Sequence, residues 1–271
     1  MTKKNIIIGN WKMNPLTLEE AEQLFSSVAK NMSSIKKTEV VICPPFLYLE
    51  KLKKMSTRIF RKTSLVSLGA QNAFCGDTGA YTGEISPEML YEIGVKYVIL
   101  GHSERRNPPS ILSGGGGGES NSYINKKIKS ALSASLVPIL CVGEIHRDEN
   151  HEYFNLVKNQ TLECLNGISK NLISKIIIAY EPVWALSSTA LRRDATPADS
   201  LEMAIFIRKI LSDKFGKVAL RTRIIYGGSA SERDALEFLK NGGVNGLLPG
   251  RASLDAKKFV KIINIAENLA K

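Results

Sequence analysis

Long apolar runs are missing from this chain. No stretch of its 271 residues approaches the roughly 18 consecutive apolar residues that a membrane-spanning helix needs. The N-terminus, MTKKNIIIGNWK, has only three isoleucines before Gly9, which is shorter than the apolar part of a secretory signal. We therefore expect no membrane span and no export, with the cytoplasm as the compartment.

Cysteine is scarce as well. The four cysteines, Cys43, Cys75, Cys141 and Cys164, show no CxxC spacing and no histidine nearby in the sequence. Such isolated cysteines in a chain without an export signal are typical of reduced thiols rather than of disulfides or zinc ligands. We expect most of them to be buried.

Charge is not in short supply, but it is not clustered. The chain has 37 basic and 26 acidic residues, so its formal net charge is 37 − 26 = +11. The basic residues are interspersed with acidic and apolar ones, as in LEKLKKM and INKKIKSAL, on what we predict to be outer helix faces. Since no nucleic-acid module or aromatic and basic array accompanies them, a solvated basic surface is favoured over a nucleic-acid partner.

Apolar, β-branched runs recur along the whole chain. They are NIIIGN, EVVICPP, LVSLGAQ, KYVILGH, VPILCVG, KIIIAYE, RIIYGG and VNGLLPG, about 34 residues apart on average. That spacing leaves room for a crossover helix returning to a parallel strand, and runs that are apolar on both faces favour a parallel sheet covered by helices. Eight such units predict a single-domain α/β fold over residues 1–271, the (β/α)8 barrel. An open doubly wound sheet is the alternative, but no GxGxxG follows the first run.

Helix starts can also be read from the sequence. Thr17 and Glu20 have the spacing of a capping box. Ser86 and Thr196 each stand directly before a proline, which places a cap residue before proline at the first helical position. Each of these starts is predicted to open a helix between two strands.

Polar side chains follow three of the predicted strands. The first strand ends in Gly9-Asn10-Trp11-Lys12, the fourth in Gly101-His102-Ser103-Glu104, and the sixth in Glu181. Taken singly, Lys12 fits an ion-paired surface lysine equally well, whereas His102 fits a buried structural histidine better and Glu181 a helix-capping or ion-paired carboxylate better. Their joint position at the strand ends, where barrels of this kind build their sites, favours a functional role for all three.

The three groups suit one kind of chemistry. A carboxylate beside non-polar walls such as Trp184 can act as a base toward a carbon acid. A histidine at a helix start favours its neutral form, which can donate a hydrogen bond to a carbonyl oxygen. A lysine supplies fixed positive charge where an enediolate develops. Together they indicate proton transfer next to a carbonyl group.

Longer segments of the sequence closely resemble triosephosphate isomerases. The matching segments are GNWKMN, GAQNAF with GAYTGEISPEML, YVILGHSERR, PILCVGE, AYEPVWA, IIYGGS and GRASL, in the family's order over nearly the whole chain. The resemblance implies interconversion of dihydroxyacetone phosphate and D-glyceraldehyde 3-phosphate, the reaction shared by glycolysis and gluconeogenesis, without a metal or organic cofactor. It also implies a homodimer, since GAYTGE is similar to the family's loop that inserts into a second subunit.

The resemblance assigns roles to individual positions. Glu181 would move the proton between adjacent carbons, His102 would polarise the carbonyl and relay protons between the oxygens, and Asn10 and Lys12 would stabilise the enediolate. Glu104 would orient this cluster. Backbone N–H groups around Ser229 and Gly250, beside Arg251, would hold the phosphate together with a lid after the sixth strand whose first hinge is Pro182-Val183-Trp184.

Three loops depart from the family pattern. The link after HSERR is NPPSILSGGGGG, whose five glycines at 114–118 resemble an engineered flexible linker. The lid tip, residues 186–194, reads LSSTALRRD where the family has a glycine-rich segment, and a second glycine expected after Gly250 is Arg251. Each of the arginines at these sites has two possible roles. Arg192 and Arg193 either pair with the phosphate or point into solvent. Arg251 either pairs with the phosphate or fills part of the pocket.

Two functions therefore remain open at this stage. One is an active isomerase, with turnover reduced by the altered lid. The other is a barrel with reshaped loops, natural or engineered, that binds a different anion or partner with little isomerase activity. The intact set of Asn10, Lys12, His102 and Glu181 favours the first.

Overall fold

A computed structural model describes residues 4–60, 65–108, 117–186 and 193–270. Eight parallel strands form a closed barrel in which each strand pairs with the next and β1 pairs with β8. The strands are β1 (Ile6–Asn10), β2 (Glu39–Cys43), β3 (Val66–Ala70), β4 (Tyr97–Leu100), β5 (Val137–Val142), β6 (Ile177–Tyr180), β7 (Arg223–Tyr226) and β8 (Gly246–Leu247). The predicted (β/α)8 architecture is confirmed.

Helices surround the barrel. The described α-helices are α1 (Leu18–Ala29), α2 (Leu49–Phe60), α3 (Pro87–Glu92), α4 (Ser103–Arg106), α5 (Asn121–Ser133), α6 (Tyr153–Cys164), α7 (Lys170–Ile173), α8 (Pro197–Phe215), α9 (Ala235–Asn241) and α10 (Ala256–Leu269). None of the described helices is long and apolar enough to cross a membrane.

The predicted helix caps are present. The Thr17 hydroxyl accepts from the Glu20 N–H at 3.2 Å, and the Glu20 carboxylate accepts from the Thr17 N–H at 3.2 Å, which completes the capping box. Ser86 caps α3 and Thr196 caps α8, each with proline at the first helical position. These local signals were readable because a cap depends on residues within one turn of each other.

Alternation along the strands divides the core into two layers. Side chains two apart, such as Ile6 with Ile8, fill the interior of the barrel together with Tyr97 and Ile99. Their neighbours, Ile7 among them, pack outward against the helices. Both faces of the sheet are therefore buried away from solvent, which explains why the strand sequences are unbroken apolar runs. Of the cysteines, Cys43, Cys141 and Cys164 are buried and Cys75 is half-buried, and all four are free thiols.

A polar cluster lies at the amino-terminal end of the strands. The Glu39 carboxylate accepts from the Tyr97 hydroxyl at 2.8 Å and from the Arg223 guanidinium at 3.0 Å. Burial acts to raise the pKa of Glu39, but the positive charge of Arg223 and the two hydrogen bonds outweigh it, so the pKa lies below its ordinary value of 4.5. This end of the barrel is opposite to the one where sites form, so we assign the cluster to stability.

The depressed pKa of Glu39 predicts a pH-dependent contribution to stability. Because the folded state holds the carboxylate ionised, the contribution is fully present above the unfolded pKa and is lost as the pH falls through the lower folded pKa. Glu39→Gln should therefore unfold at lower urea concentration than the wild type at about pH 7, and the difference should shrink below about pH 4. A difference that stays constant between these pH values would contradict the assignment.

Candidate active site

Lys12 stands just beyond the carboxyl end of β1 in an unusual backbone conformation. Its φ of 53° lies in the left-handed region, which a residue with a Cβ rarely adopts. Two hydrogen bonds hold it there: its N–H donates to Asn10 Oδ1 at 3.1 Å, and Gln71 Nε2 donates to its carbonyl oxygen at 2.7 Å. Gln71 is itself fixed by a second donation, to the Cys43 carbonyl oxygen at 2.9 Å. Backbone strain sustained by neighbours is characteristic of functional sites. Gln71 was not among the predicted residues, although it follows β3 at the same barrel end.

His102 begins α4, as the sequence predicts. Its Nδ1 accepts a hydrogen bond from the Glu104 N–H at 3.2 Å, so the ring proton of the neutral form lies on Nε2. The same Glu104 places its carboxylate against the Lys12 ammonium. Glu104 thus touches both His102 and Lys12, and it fixes the direction in which each one points.

Glu181 follows β6 and is almost fully buried, with 2% of its surface exposed. Its Oε2 accepts a hydrogen bond from the Ser103 N–H at 2.9 Å. Its Oε1 lies 3.2 Å from His102 Nε2, but the angle is not that of a hydrogen bond, and this oxygen has no hydrogen-bond partner among the described residues. An unsatisfied carboxylate oxygen is costly in the protein interior, but Glu119 and Glu144 have one too, so what distinguishes Glu181 is that its free oxygen lies beside a histidine of the cleft.

Two glycines leave room for Glu181, one beside its backbone and one beside its side chain. A Cβ at Gly143 would lie 1.8 Å from the Glu181 carbonyl oxygen, and one at Gly227 would lie 2.9 Å from its Cγ. The Cys141 thiol is close by, and burial together with the negative charge of Glu181 raises its pKa well above the usual value. Cys141 is therefore a neutral neighbour of Glu181.

An open cleft of about 1020 Å³ lies at this end of the barrel. Its lining includes Asn10, Lys12, His102, Leu186, Asp194, Ala195, Thr196, Pro197, Gly227, Gly228, Ser229, Gly250 and Arg251. Glu181 is not among these residues and lies behind His102, in a small internal gap with Ser103 and Cys141. The structure thus brings Asn10, Lys12, His102, Ser229, Gly250 and Arg251 to one cleft and sets Glu181 just behind its wall.

The phosphate-binding residues predicted after β7 and β8 all line this cleft. Gly250 precedes a 3-10 turn at Arg251–Leu254, whose first N–H groups have no partner within the turn. A Cβ at Gly250 would be 3.5 Å from the Lys12 Cε, so the turn stands directly beside Lys12. Ser229 uses its hydroxyl to donate to the Ala185 carbonyl at 3.2 Å, which ties the loop after β7 to the loop after β6.

Comparison with known proteins fits this geometry. The family profile described as "Triosephosphate isomerase" matches residues 5–266. The chain belongs to the triosephosphate isomerase family. It is 42% identical to the triosephosphate isomerase of Caldanaerobacter subterraneus subsp. tengcongensis, with 97% of this chain and 99% of that one covered. The Aquifex aeolicus protein of the same name is 41% identical, with 96% of this chain and 98% of that one covered.

A solved structure of this family also resembles the fold. The crystal structure of triosephosphate isomerase from Bartonella henselae matches with a TM-score of 0.79 and 35% identity, covering 97% of this chain and 98% of that one. The family's barrel is therefore kept in this chain despite its altered loops. Of those loops, residues 109–116 and 187–192, which include Arg192 and most of the glycine run, lie outside the described residues.

A second carboxylate, Glu144, organises the loop that follows β6. It is fully buried after β5, and its Oε1 accepts from Tyr180 at 2.8 Å, from Trp184 Nε1 at 2.8 Å and from Arg147 Nε at 3.0 Å. Trp184, which we expected beside Glu181, thus directs its indole N–H to Glu144. Burial and the nearby charge of Glu144 raise the pKa of Tyr180 well above its usual value, so its hydroxyl stays a donor. A polar residue after an apolar run is the signal that would have found Glu144.

Removing this acceptor should destabilise the protein. Glu144→Ala leaves the indole N–H and the Tyr180 hydroxyl without their buried partner, which should lower the free energy of unfolding by about 2–4 kcal/mol. Glu144→Gln keeps an acceptor oxygen at the same position and should cost less than half as much. Urea unfolding at neutral pH measures both variants. Equal losses in the two would show that the hydrogen bonds contribute little.

Proposed function

We propose that this protein interconverts dihydroxyacetone phosphate and D-glyceraldehyde 3-phosphate. The observation that carries the proposal is that a histidine and a lysine line one cleft, while a buried carboxylate just behind its wall has a free oxygen 3.2 Å from the histidine Nε2. Family membership over residues 5–266 supports the same reaction. The cleft, about 1020 Å³ in volume, gives a small substrate access to Lys12 and His102.

In the proposed mechanism Glu181 is the base. Its carboxylate takes the proton from the carbon next to the carbonyl, and the electron pair of that C–H bond forms the double bond of the enediolate. The same proton is then returned to the neighbouring carbon, so that atoms and charge balance over the cycle. Neither a metal nor an organic cofactor is needed, because the substrate carbonyl is the electron acceptor in both directions.

The other residues stabilise the enediolate in this proposal. The Nε2–H of His102 donates to the substrate oxygen and relays protons between the two oxygens. The Lys12 ammonium provides positive charge where the negative charge grows, and Asn10 fixes the Lys12 backbone through its side-chain oxygen. Glu104 keeps the imidazole and the ammonium in place by its contacts with both.

Glu181 has to change partners during this cycle. Its Oε2 rests on the Ser103 N–H behind the cleft wall, so the carboxylate must leave that donor in order to reach a substrate carbon. The N–H competes with the substrate for the carboxylate and lowers its reactivity while the site is empty. We propose that substrate binding, by excluding water from the cleft, shifts this balance toward the cleft.

The phosphate is assigned to the loops after β7 and β8. Backbone N–H groups around Ser229 and at the start of the Arg251–Leu254 turn are suited to hold its oxygens. Arg251, which replaces a family glycine, is exposed at the cleft and adds a guanidinium that matches phosphate oxygens. The alternative function, binding of a different anion with little turnover, is not favoured, because the family profile and the catalytic set are both retained.

The base assignment predicts the behaviour of one matched pair of variants. Glu181→Gln should lower kcat about 10³-fold in both directions of a coupled assay, within the range expected for loss of a general base. Glu50→Gln, a change of the same kind on the exposed surface of α2, should leave kcat unchanged. Titration with a phosphate-bearing enediolate mimic reports separately on the phosphate site. Equal turnover by the wild type and Glu181→Gln would refute the mechanism.

We also propose a homodimer. Large apolar side chains are exposed on the loops after the first three strands: Met13 is 94%, Leu16 90%, Leu47 87% and Tyr81 52% exposed. Tyr81 belongs to the GAYTGE loop and packs against the Phe74 ring at 4.6 Å between centroids. A patch of this composition on a folded protein is typical of an association surface. The cytoplasmic location and the single domain over residues 1–271 stay predictions.

The dimer prediction has its own matched control. Leu47→Glu places a charge in the proposed interface of each subunit and should weaken dimerisation at least about tenfold, which light scattering across a concentration series measures. Ile205→Glu changes an apolar residue that is 60% exposed on α8, outside this patch, and should leave the mass unchanged. A monomeric wild type, or equal effects of the two changes, would contradict the proposal.

A further inference from the structure

Arg193 lies at the far end of the altered lid and contacts its near end. The Arg193 Cζ is 4.2 Å from the centroid of the Trp184 ring, and Trp184 belongs to the first hinge. This distance is well inside the range of a cation–π contact. The guanidinium of Arg147 approaches the same ring at 5.3 Å. Trp184 therefore has two cationic neighbours, one fixed by the barrel and one supplied by the lid.

Arg193 also reaches the start of α8. Its Nη2 is 3.6 Å from Asp199 Oδ1, and Asp199 accepts from the Arg147 guanidinium at 3.0 Å. Asp199 Oδ2 accepts from the N–H and the hydroxyl of Thr196, both at 2.8 Å. Asp199 is therefore anchored from two sides, and a group held by Asp199 and Trp184 together is held by rigid elements at both ends of the loop.

The sequence leaves two roles open for Arg193, pairing with the phosphate and pointing into solvent, and its position in the structure bears on the first. Asp194 and its neighbours Ala195 and Thr196 line the cleft, as does Leu186, whereas Arg193 is not among the lining residues described. Its side chain, 61% exposed, lies over Trp184 instead of facing the phosphate loops. Direct phosphate pairing is therefore not what this arrangement provides.

We infer that Arg193 is a positioning residue for the proposed reaction. Its guanidinium links Trp184 to Asp199 and so holds both ends of the lid against the cleft, Leu186 at one end and the segment from Asp194 to Thr196 at the other. The inference rests on the proposed function and goes beyond it by naming how this chain's altered lid is anchored. Residues 186–194 contain no glycine, so the family's glycine-rich way of fitting the lid to the phosphate is not available to this sequence. An anchor that uses side chains compensates for that loss by fixing the ends.

The test compares three variants of the full-length protein. Arg193→Met keeps the length of the side chain but removes the guanidinium, and it should raise KM by about 2- to 5-fold, the range of an exposed cation–π contact, with kcat changed less than about twofold. Arg193→Lys retains the charge without the planar fork and should show a smaller increase. Arg221→Met removes an exposed arginine at the opposite end of the barrel and should leave KM as it is.

Fluorescence provides the readout that separates positioning from direct phosphate binding. The chain has two tryptophans, and Trp11 is fully buried, so a change in acrylamide quenching reports on Trp184. Arg193→Met should increase quenching of the free protein, while Arg221→Met should not. A raised KM without any change in quenching would overturn the inference in favour of direct phosphate contact, and unchanged KM with unchanged quenching would overturn it altogether.

The affinity for a phosphate-bearing enediolate mimic is measured on the same variants. If the wild type showed no turnover, the proposed function would fail, but the clamp would still be tested by quenching and by mimic affinity. Arg193→Met should then bind the mimic about 2- to 5-fold more weakly than the wild type. Equal affinities would refute the positioning role independently of turnover.

Discussion

The hydrogen bond from the Ser103 N–H to the Glu181 carboxylate, 2.9 Å long, joins the end of β6 to the first turn of α4. The other groups of the site are arranged around this bond. His102 caps the same turn, the Glu104 N–H donates to the imidazole, and the Glu104 carboxylate contacts Lys12. Lys12 is held by β1 and Gln71. The closed barrel is what brings these ends together, because parallel strands of a ring direct all their carboxyl ends to one face. A single backbone N–H, that of Ser103, thus connects the proposed base to the helix that carries the other groups of the site.

In the proposed mechanism, this arrangement keeps the base buried without committing both of its oxygens. One oxygen is satisfied by Ser103, and the other has no hydrogen-bond partner among the described residues. A fully satisfied carboxylate would be a structural group and a fully exposed one a weak base in water, so the half-satisfied state is the compromise that catalysis needs. Glu144 also leaves one oxygen without a partner, but its other oxygen accepts from three donors and so holds the first hinge of the lid.

Much of the fold and part of the site could be predicted from the sequence, and the physical reasons can be named. The barrel follows from the spacing and apolarity of the strands, and the caps at Thr17, Ser86 and Thr196 depend on neighbours within one turn. Because barrels of this kind build their sites at the carboxyl ends of the strands, the sequence predicted that Asn10, Lys12 and His102 lie at one cleft. The partner of Glu181 was out of reach, because Ser103 is 78 positions away and offers only a backbone N–H, which every residue except proline has. Likewise, nothing local shows that Trp184 directs its N–H to Glu144 or that Arg193 covers its ring.

In the proposed mechanism, Glu181 is hydrogen-bonded to the Ser103 N–H in the free protein and moves into the cleft to act. A crystal structure with a bound phosphate-bearing enediolate mimic tests it most directly. We predict that in this complex the Glu181 carboxylate has left the Ser103 N–H, which lies 2.9 Å away in the free protein, and contacts the mimic opposite His102. A mimic fully bound in the cleft, with Glu181 still hydrogen-bonded to Ser103, would contradict it.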